Sequence, residues 1–250
     1  MSRVIAVCGK GGVGKTTISA LLSRLLAKGG DGRILVVDAD PAVGLGMALN
    51  YFPDRSVNDI RMEIITAVKE RRTDSVDLAA SVDYKLMEIV AESGKLGFLS
   101  MGRPEDEGCY CQVNTFLREA IESLSSHFDL TLIDAEAGVE QINRRVMRSV
   151  SHLLLVSDTS LKGIRVAETI CKVADEAVDY RKLGLVINLA RHQDEYSRLS
   201  EATELPVLGW IPEDETIREF DTMARSFLEI PSCPALQAVR HMLLDNDFLS

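Results

Sequence analysis

Residues 9–17 read Gly9-Lys10-Gly11-Gly12-Val13-Gly14-Lys15-Thr16-Thr17, between the apolar run Val4-Ile5-Ala6-Val7 and a stretch of helical spacing over 16–28. A strand, a glycine-rich turn and a helix in that order form the setting in which G-x-x-x-x-G-K-T acts as a P-loop. Glycines let successive backbone N–H groups face one phosphate, and the helix N-terminus adds positive potential. Lys15 is then in reach of the β- and γ-phosphate oxygens, and the Thr16 hydroxyl is placed to ligate Mg²⁺. The spacing therefore predicts a nucleoside triphosphate site held by Gly11, Gly12, Val13, Gly14, Lys15, Thr16 and Thr17. Lys10 is an extra lysine, not needed to cradle phosphate within one chain. Its flexible ammonium could reach a nucleotide across a dimer interface.

The rest of the chain repeats the strand and helix alternation. Short runs rich in Val, Ile and Leu predict strands at 3–8, 33–38, 83–89, 97–101, 129–134, 151–157, 183–188 and 206–211. Between them, helical spacing covers 16–28, 57–72, 112–126, 139–149, 162–178 and 214–228, and 232–250 is at most a short amphipathic helix. This is the pattern of a three-layer α/β/α P-loop NTPase with a mostly parallel central sheet. No repeat, low-complexity tract or Pro/Gly/Ser linker interrupts it, so residues 1–250 read as a single P-loop ATPase domain.

The 250 residues carry 28 Lys+Arg against 38 Asp+Glu, a net charge of −10, which argues against a nucleic-acid partner. Hydrophobic residues make up 46%, enough for a core. No run approaches the ~18 uncharged apolar residues of a membrane span. Met1-Ser2-Arg3 runs directly into the first apolar stretch, without the basic and apolar halves of a leader, so the expected compartment is the cytoplasm and no membrane partner is expected.

Five cysteines are an odd number for a disulfide framework, and Cys109 and Cys111 stand one residue apart. Two thiolates can offer soft donors to one ion, but they leave a half-filled site. A two-fold dimer brings the same patch from each chain together and would complete a four-thiolate site. The helix expected to begin near Gln112 would lower the thiol pKa and favour the metal-binding thiolate. A pair of small residues packed in a loop fits the same pattern, with one of them buried as a hydrophobe. Cys8, Cys171 and Cys233 are expected in the core. His127, His152, His192 and His241 lack metal-ligand spacing.

With Lys10 in the loop, the chain resembles the deviant Walker A ATPases, the group that includes MinD, ParA, nitrogenase iron protein and the nickel-insertion ATPases. In that group the lysine matching Lys10 is the signature lysine, and ATP closes a face-to-face homodimer. The resemblance extends to Val37-Asp38-Ala39-Asp40-Pro41, where Asp40 matches the residue that positions the attacking water and Asp38 its Mg²⁺-side neighbour. Asp134, ending Leu130-Thr131-Leu132-Ile133, resembles the Walker B aspartate, with Gly138 closing D-x-x-x-G. Each aspartate alone also fits a helix cap or a turn. Asn188 resembles the adenine-recognising asparagine, and Ile211-Pro212 the segment whose backbone meets the base, although both residue types also serve as turn residues.

Within the group, Gly102-Arg103-Pro104 followed by Gly108-Cys109-Tyr110-Cys111 is similar to the CooC-type nickel-insertion ATPases that mature carbon monoxide dehydrogenase. The resemblance implies catalytic roles for Lys10, Lys15 and Asp40, ATP and Mg²⁺ as cofactors, and one nickel or zinc ion shared by Cys109 and Cys111 of two chains. Carbon monoxide dehydrogenase is the implied client. The related nickel loader of acetyl-CoA synthase, and an ATP-dependent regulatory or scaffolding switch of the MinD/ParA kind, are the alternatives. Nitrogenase iron protein needs a cluster cysteine just after Asp134, and the next one here is Cys171. A MinD-like anchor would be basic, whereas Asp245 and Asp247 stand in the last segment.

Overall fold

The computed structural model describes residues 3–29, 31–70, 75–103, 111–135 and 149–245. A strand covered on both faces needs apolar residues at successive positions. β2 (Ile34–Asp38), β4 (Leu96–Ser100) and β5 (Leu130–Asp134) are accordingly buried along their whole length, and β1 (Arg3–Gly9) is buried after its first residue. With β3 (Ala91–Ser93), β6 (Ser149–Ser157), β7 (Asp179–Ala190) and β8 (Val207–Pro212) they form an eight-stranded sheet among the described residues, in the order β3-β4-β2-β5-β1-β6-β7-β8. Every pairing is parallel except β3 with β4.

The strand period of two sorts side chains into two cores. Ala6, Leu35, Ile133, Leu155 and Ile187 point to one face, where α3 (Val57–Lys69), α4 (Ser75–Ile89), α5 (Cys111–Ser125), α6 (Leu161–Ala177) and α7 (Gln193–Glu201) supply Ile60, Leu86, Ile121, Ile164 and Leu199. Ile5, Val7, Val36, Leu132 and Val156 point to the other. There α1 (Lys15–Gly29), α2 (Gly44–Leu49), α8 (Glu215–Thr222) and α9 (Pro234–Asp245) supply Leu21, Leu45, Phe220 and Val239. The result is a three-layer α/β/α fold of the P-loop kind.

The structure corrects the expectation of a strand at 83–89, which lies inside α4. Val82, Leu86 and Ile89 are buried at 1, 0 and 7% exposure, whereas Tyr84 and Met87 are 66 and 57% exposed. That i, i+4, i+7 stripe is helical, and the edge strand is the later Ala91–Ser93. α2 and α7 lie where no helix was expected. The helix expected over 214–228 ends at Thr222, and a 3-10 turn follows at Phe227–Glu229. β6 begins at Ser149, two residues early, while the helix expected at 139–149 otherwise falls outside the described residues. No described helix is long and apolar enough to cross a membrane.

Candidate functional site

Open α/β sheets bind ligands beyond the carboxyl ends of their strands, and the residues singled out above collect at that edge. Gly9 ends β1, Asp38 ends β2, Asp134 ends β5, and Asn188 lies near the end of β7. Register sets Asp38 opposite Asp134 on adjacent strands. β1 lies between β5 and β6, so the loop that follows it rises between their ends.

The loop is built by close approach. A side chain at Gly9 would run into the Val156 carbonyl, and one at Gly14, where φ is +91°, into the Asn188 amide. Val13 is buried at 1% exposure and roots the turn in the core. Asn188 is itself buried, and its Nδ2 donates to the Val13 carbonyl at 2.8 Å. The side chain singled out for base recognition thus also braces the loop. Lys15 is buried at 7% exposure and curls back, its Nζ donating to the Lys10 carbonyl at 3.3 Å.

Asp134, 1% exposed, receives two hydroxyls from α1: Thr16 Oγ1 at 2.8 Å on one carboxylate oxygen and Ser19 Oγ at 3.0 Å on the other. Burial pushes its carboxyl up to about 7; Asp38 nearby adds to the rise, and the two hydroxyls and Lys15 oppose it. The sequence reading missed Ser19. Its signal was present, because i and i+3 on a helix share a face, as Thr16 and Ser19 do here. Asp38 has no exposed surface. Its carboxylate accepts backbone N–H groups of Asp40 at 3.2 Å and of Leu45 and Gly46 at 3.0 Å each. Burial pushes this carboxyl up to about 6 against those bonds. Asp38 therefore organises the start of α2 in addition to facing Asp134.

Asp40 is half-buried in the turn that follows β2; its Oδ1 accepts the Ala42 N–H at 2.9 Å and its carbonyl the Val43 N–H at 2.9 Å. Val43 has φ 54°, a left-handed conformation that a β-branched residue rarely adopts. Leu189, beside Asn188, has φ 61°. Strained residues of this kind concentrate at functional sites: Leu189 adjoins Asn188, and Val43 closes the Asp40 turn through its N–H. Lys10 faces Asp158, Nζ to Oδ2 at 3.5 Å, a partner that the sequence reading did not identify. Burial works against the charge of Asp158, but Ser160 and Lys10 outweigh it and hold the carboxyl below its ordinary value.

A cavity of about 630 Å³ opens beside the loop, lined by Gly12, Gly14, Thr17, Asn188, Arg191 and Pro212 among others. It brings together the loop and the two positions expected to meet a base. The donors of Thr16 and Asp134 are all hard oxygens, a set that fits Mg²⁺. Cys8 and Cys233 are buried as expected, whereas Cys171 is only partly so. Burial pushes the Cys8 thiol up to about 12, which keeps it protonated and inert. Cys109 and Gly138 lie outside the described residues, as does the side chain of Cys111, the first residue of α5. Among the described residues no group of three or more His, Cys, Asp or Glu is placed to hold a metal ion.

Comparison with known proteins agrees with this fold. The family described as the CobQ/CobB/MinD/ParA nucleotide binding domain matches residues 4–225. An uncharacterized ATP-binding protein of Methanocaldococcus jannaschii is 35% identical over 234 residues, 91% of each chain. The carbon monoxide dehydrogenase accessory protein CooC of Rhodospirillum rubrum is 26% identical over 252 residues, 92% of this chain and 91% of that one. The crystal structure of the Pyrococcus furiosus cell division ATPase MinD superposes with a TM-score of 0.74 over 100% of both chains, at 24% identity. With its P-loop, its sheet and its family match in agreement, the chain belongs to the CobQ/CobB/MinD/ParA nucleotide-binding family and is a P-loop ATPase.

Proposed function

We propose that this ATPase is a metallochaperone that closes into a homodimer with ATP, holds one soft metal ion between the two chains, and delivers nickel to carbon monoxide dehydrogenase. The observation that carries the reading is the Cys109-Tyr110-Cys111 sequence, whose last residue opens α5, in a chain similar to CooC over nine-tenths of its length. Phosphates lie against the N–H groups of residues 11–17 with Lys15 as counter-charge. Asn188 and Pro212 flank the base in the cavity. Thr16 and Asp134, with Asp38 behind them, would hold Mg²⁺, which neutralises charge developing on the phosphates when bound. Asp40 orients the attacking water through its carboxylate. Lys10 leaves Asp158 to reach the partner's nucleotide, so closure exchanges one ion pair for another. The four thiolates of two chains form the cargo site, and hydrolysis opens it.

Metal analysis of the purified protein with and without ATP tests the reading. The expected result is one nickel or zinc ion per two chains, lost in Cys109→Ser/Cys111→Ser. No bound metal in the parent protein would leave the alternative, a switch of the MinD/ParA kind whose cysteines are incidental. Metal bound together with transfer to acetyl-CoA synthase instead of carbon monoxide dehydrogenase would reassign the client.

A further inference from the structure

The turn that carries Asp40 is held from outside by the chain that leaves β4. Met101 N–H donates to the Asp38 carbonyl at 2.9 Å, continuing the β2–β4 ladder by one bond. Gly102 then turns with φ +71°, packed so closely on Ser56 that a side chain would collide with it. The next residue, Arg103, points back, and its Nε donates to the Pro41 carbonyl at 2.9 Å. Pro41 follows Asp40 directly. The bonds made by Asp40 itself run within residues 38–43: its N–H to Asp38, and the Ala42 and Val43 N–H groups to its own oxygens; on the side before it, the Ala39 N–H donates to the Asp134 carbonyl at 3.0 Å. The internal bonds fix the shape of the turn, and Ala39 ties its start to the end of β5, which leaves the side after Asp40 to be held through Pro41. Proline fixes φ and removes a donor, so its carbonyl is the group a neighbour can hold there. A guanidinium supplies donors in a rigid fork, with a charge that strengthens the bond.

We propose that Arg103 is a positioning residue for ATP hydrolysis: through the Pro41 carbonyl it holds the Asp40 turn where the carboxylate can meet the attacking water. The inference rests on the role given to Asp40 above. Arg103 itself is exposed, so replacing it leaves the cores intact. Chemistry that depends on placement is steep in distance, and the loss should fall on turnover with nucleotide binding spared.

Steady-state ATP hydrolysis by the parent, Arg103→Ala, Arg103→Lys, Asp40→Asn and the Arg103→Ala/Asp40→Asn double variant tests this as a mutant cycle. The expected result for Arg103→Ala is a kcat about tenfold lower with KM for ATP unchanged. Lysine, which can still donate to the carbonyl, should recover part of the loss. In the Asp40→Asn background the alanine change should cost nothing further, because the group it positions is gone. A parental kcat in Arg103→Ala overturns the proposal. So does an equal loss in both backgrounds, which would make Arg103 act by another route. Full activity of Asp40→Asn alone would instead remove Asp40 from the chemistry, a failure of the earlier reading that the single variant reveals by itself.

Discussion

At the scale of single residues, Asp40 and Lys15 separate chemistry from binding. Asp40 sits in an open turn, half-buried, with one of its oxygens taken by the Ala42 N–H. Its replacement by asparagine keeps size and that hydrogen bond but removes the charge that polarises water. We expect Asp40→Asn to slow ATP hydrolysis by about 10²-fold or more while ATP affinity, measured by titration calorimetry, stays close to that of the parent. Lys15 lies inside the loop, its ammonium donating to the Lys10 carbonyl. Lys15→Ala should therefore lose affinity in the same titration, because it removes the cation nearest the β- and γ-oxygens. An Asp40→Asn variant that hydrolyses like the parent would move the role to another carboxylate. Asp134 shows why such residues need their surroundings: two hydroxyls from α1 hold its orientation, and burial keeps its carboxyl up near 7.

At the scale of elements, α4 is the informative case. Its sequence, Asp83-Tyr84-Lys85-Leu86-Met87-Glu88-Ile89, can be read as an alternating strand, in which Tyr84 and Leu86 would share a face. In the helix they do not: Leu86 is fully buried with Val82 and Ile89, and Tyr84 stands in solvent. Packing against α3 and α5 decides between the two. Leu86→Ala should lower the free energy of unfolding in urea by about 2–5 kcal/mol, and Tyr84→Ala should change it by no more than about 0.5 kcal/mol. Comparable losses at both positions would be the signature of the strand. The apolar composition of 83–89 was legible in the sequence, but its period was ambiguous over so few residues.

At the scale of the whole molecule, the proposed cargo site would be complete only in a dimer. If the four thiolates come from two chains, metal must stabilise the dimer as much as dimerisation tightens metal. Nickel or zinc alone should then raise the dimer fraction in size-exclusion chromatography with light scattering, and ATP should do so independently through Lys10. Cys109→Ser/Cys111→Ser should lose the first response and keep the second. One ion per monomer, or metal-driven dimerisation of the serine variant, would rule out a shared site.

What the sequence determined by itself is local. The P-loop needs only nine consecutive residues, a strand before them and a helix after, since its donors are backbone groups and a helix end. The sheet was legible for a similar reason, because runs such as Ile34-Leu35-Val36-Val37 satisfy a strand covered on both faces without reference to their partners. What only the tertiary structure decided spans the chain. Ser19 joins Asp134 across 115 positions, Lys10 joins Asp158 across 148, Arg103 joins Pro41 across 62, and Asn188 braces Val13 across 175. Those pairs depend on the order β4-β2-β5-β1-β6-β7. Strand order is set by how the two helical layers bury the sheet together, and no short window of residues carries that information.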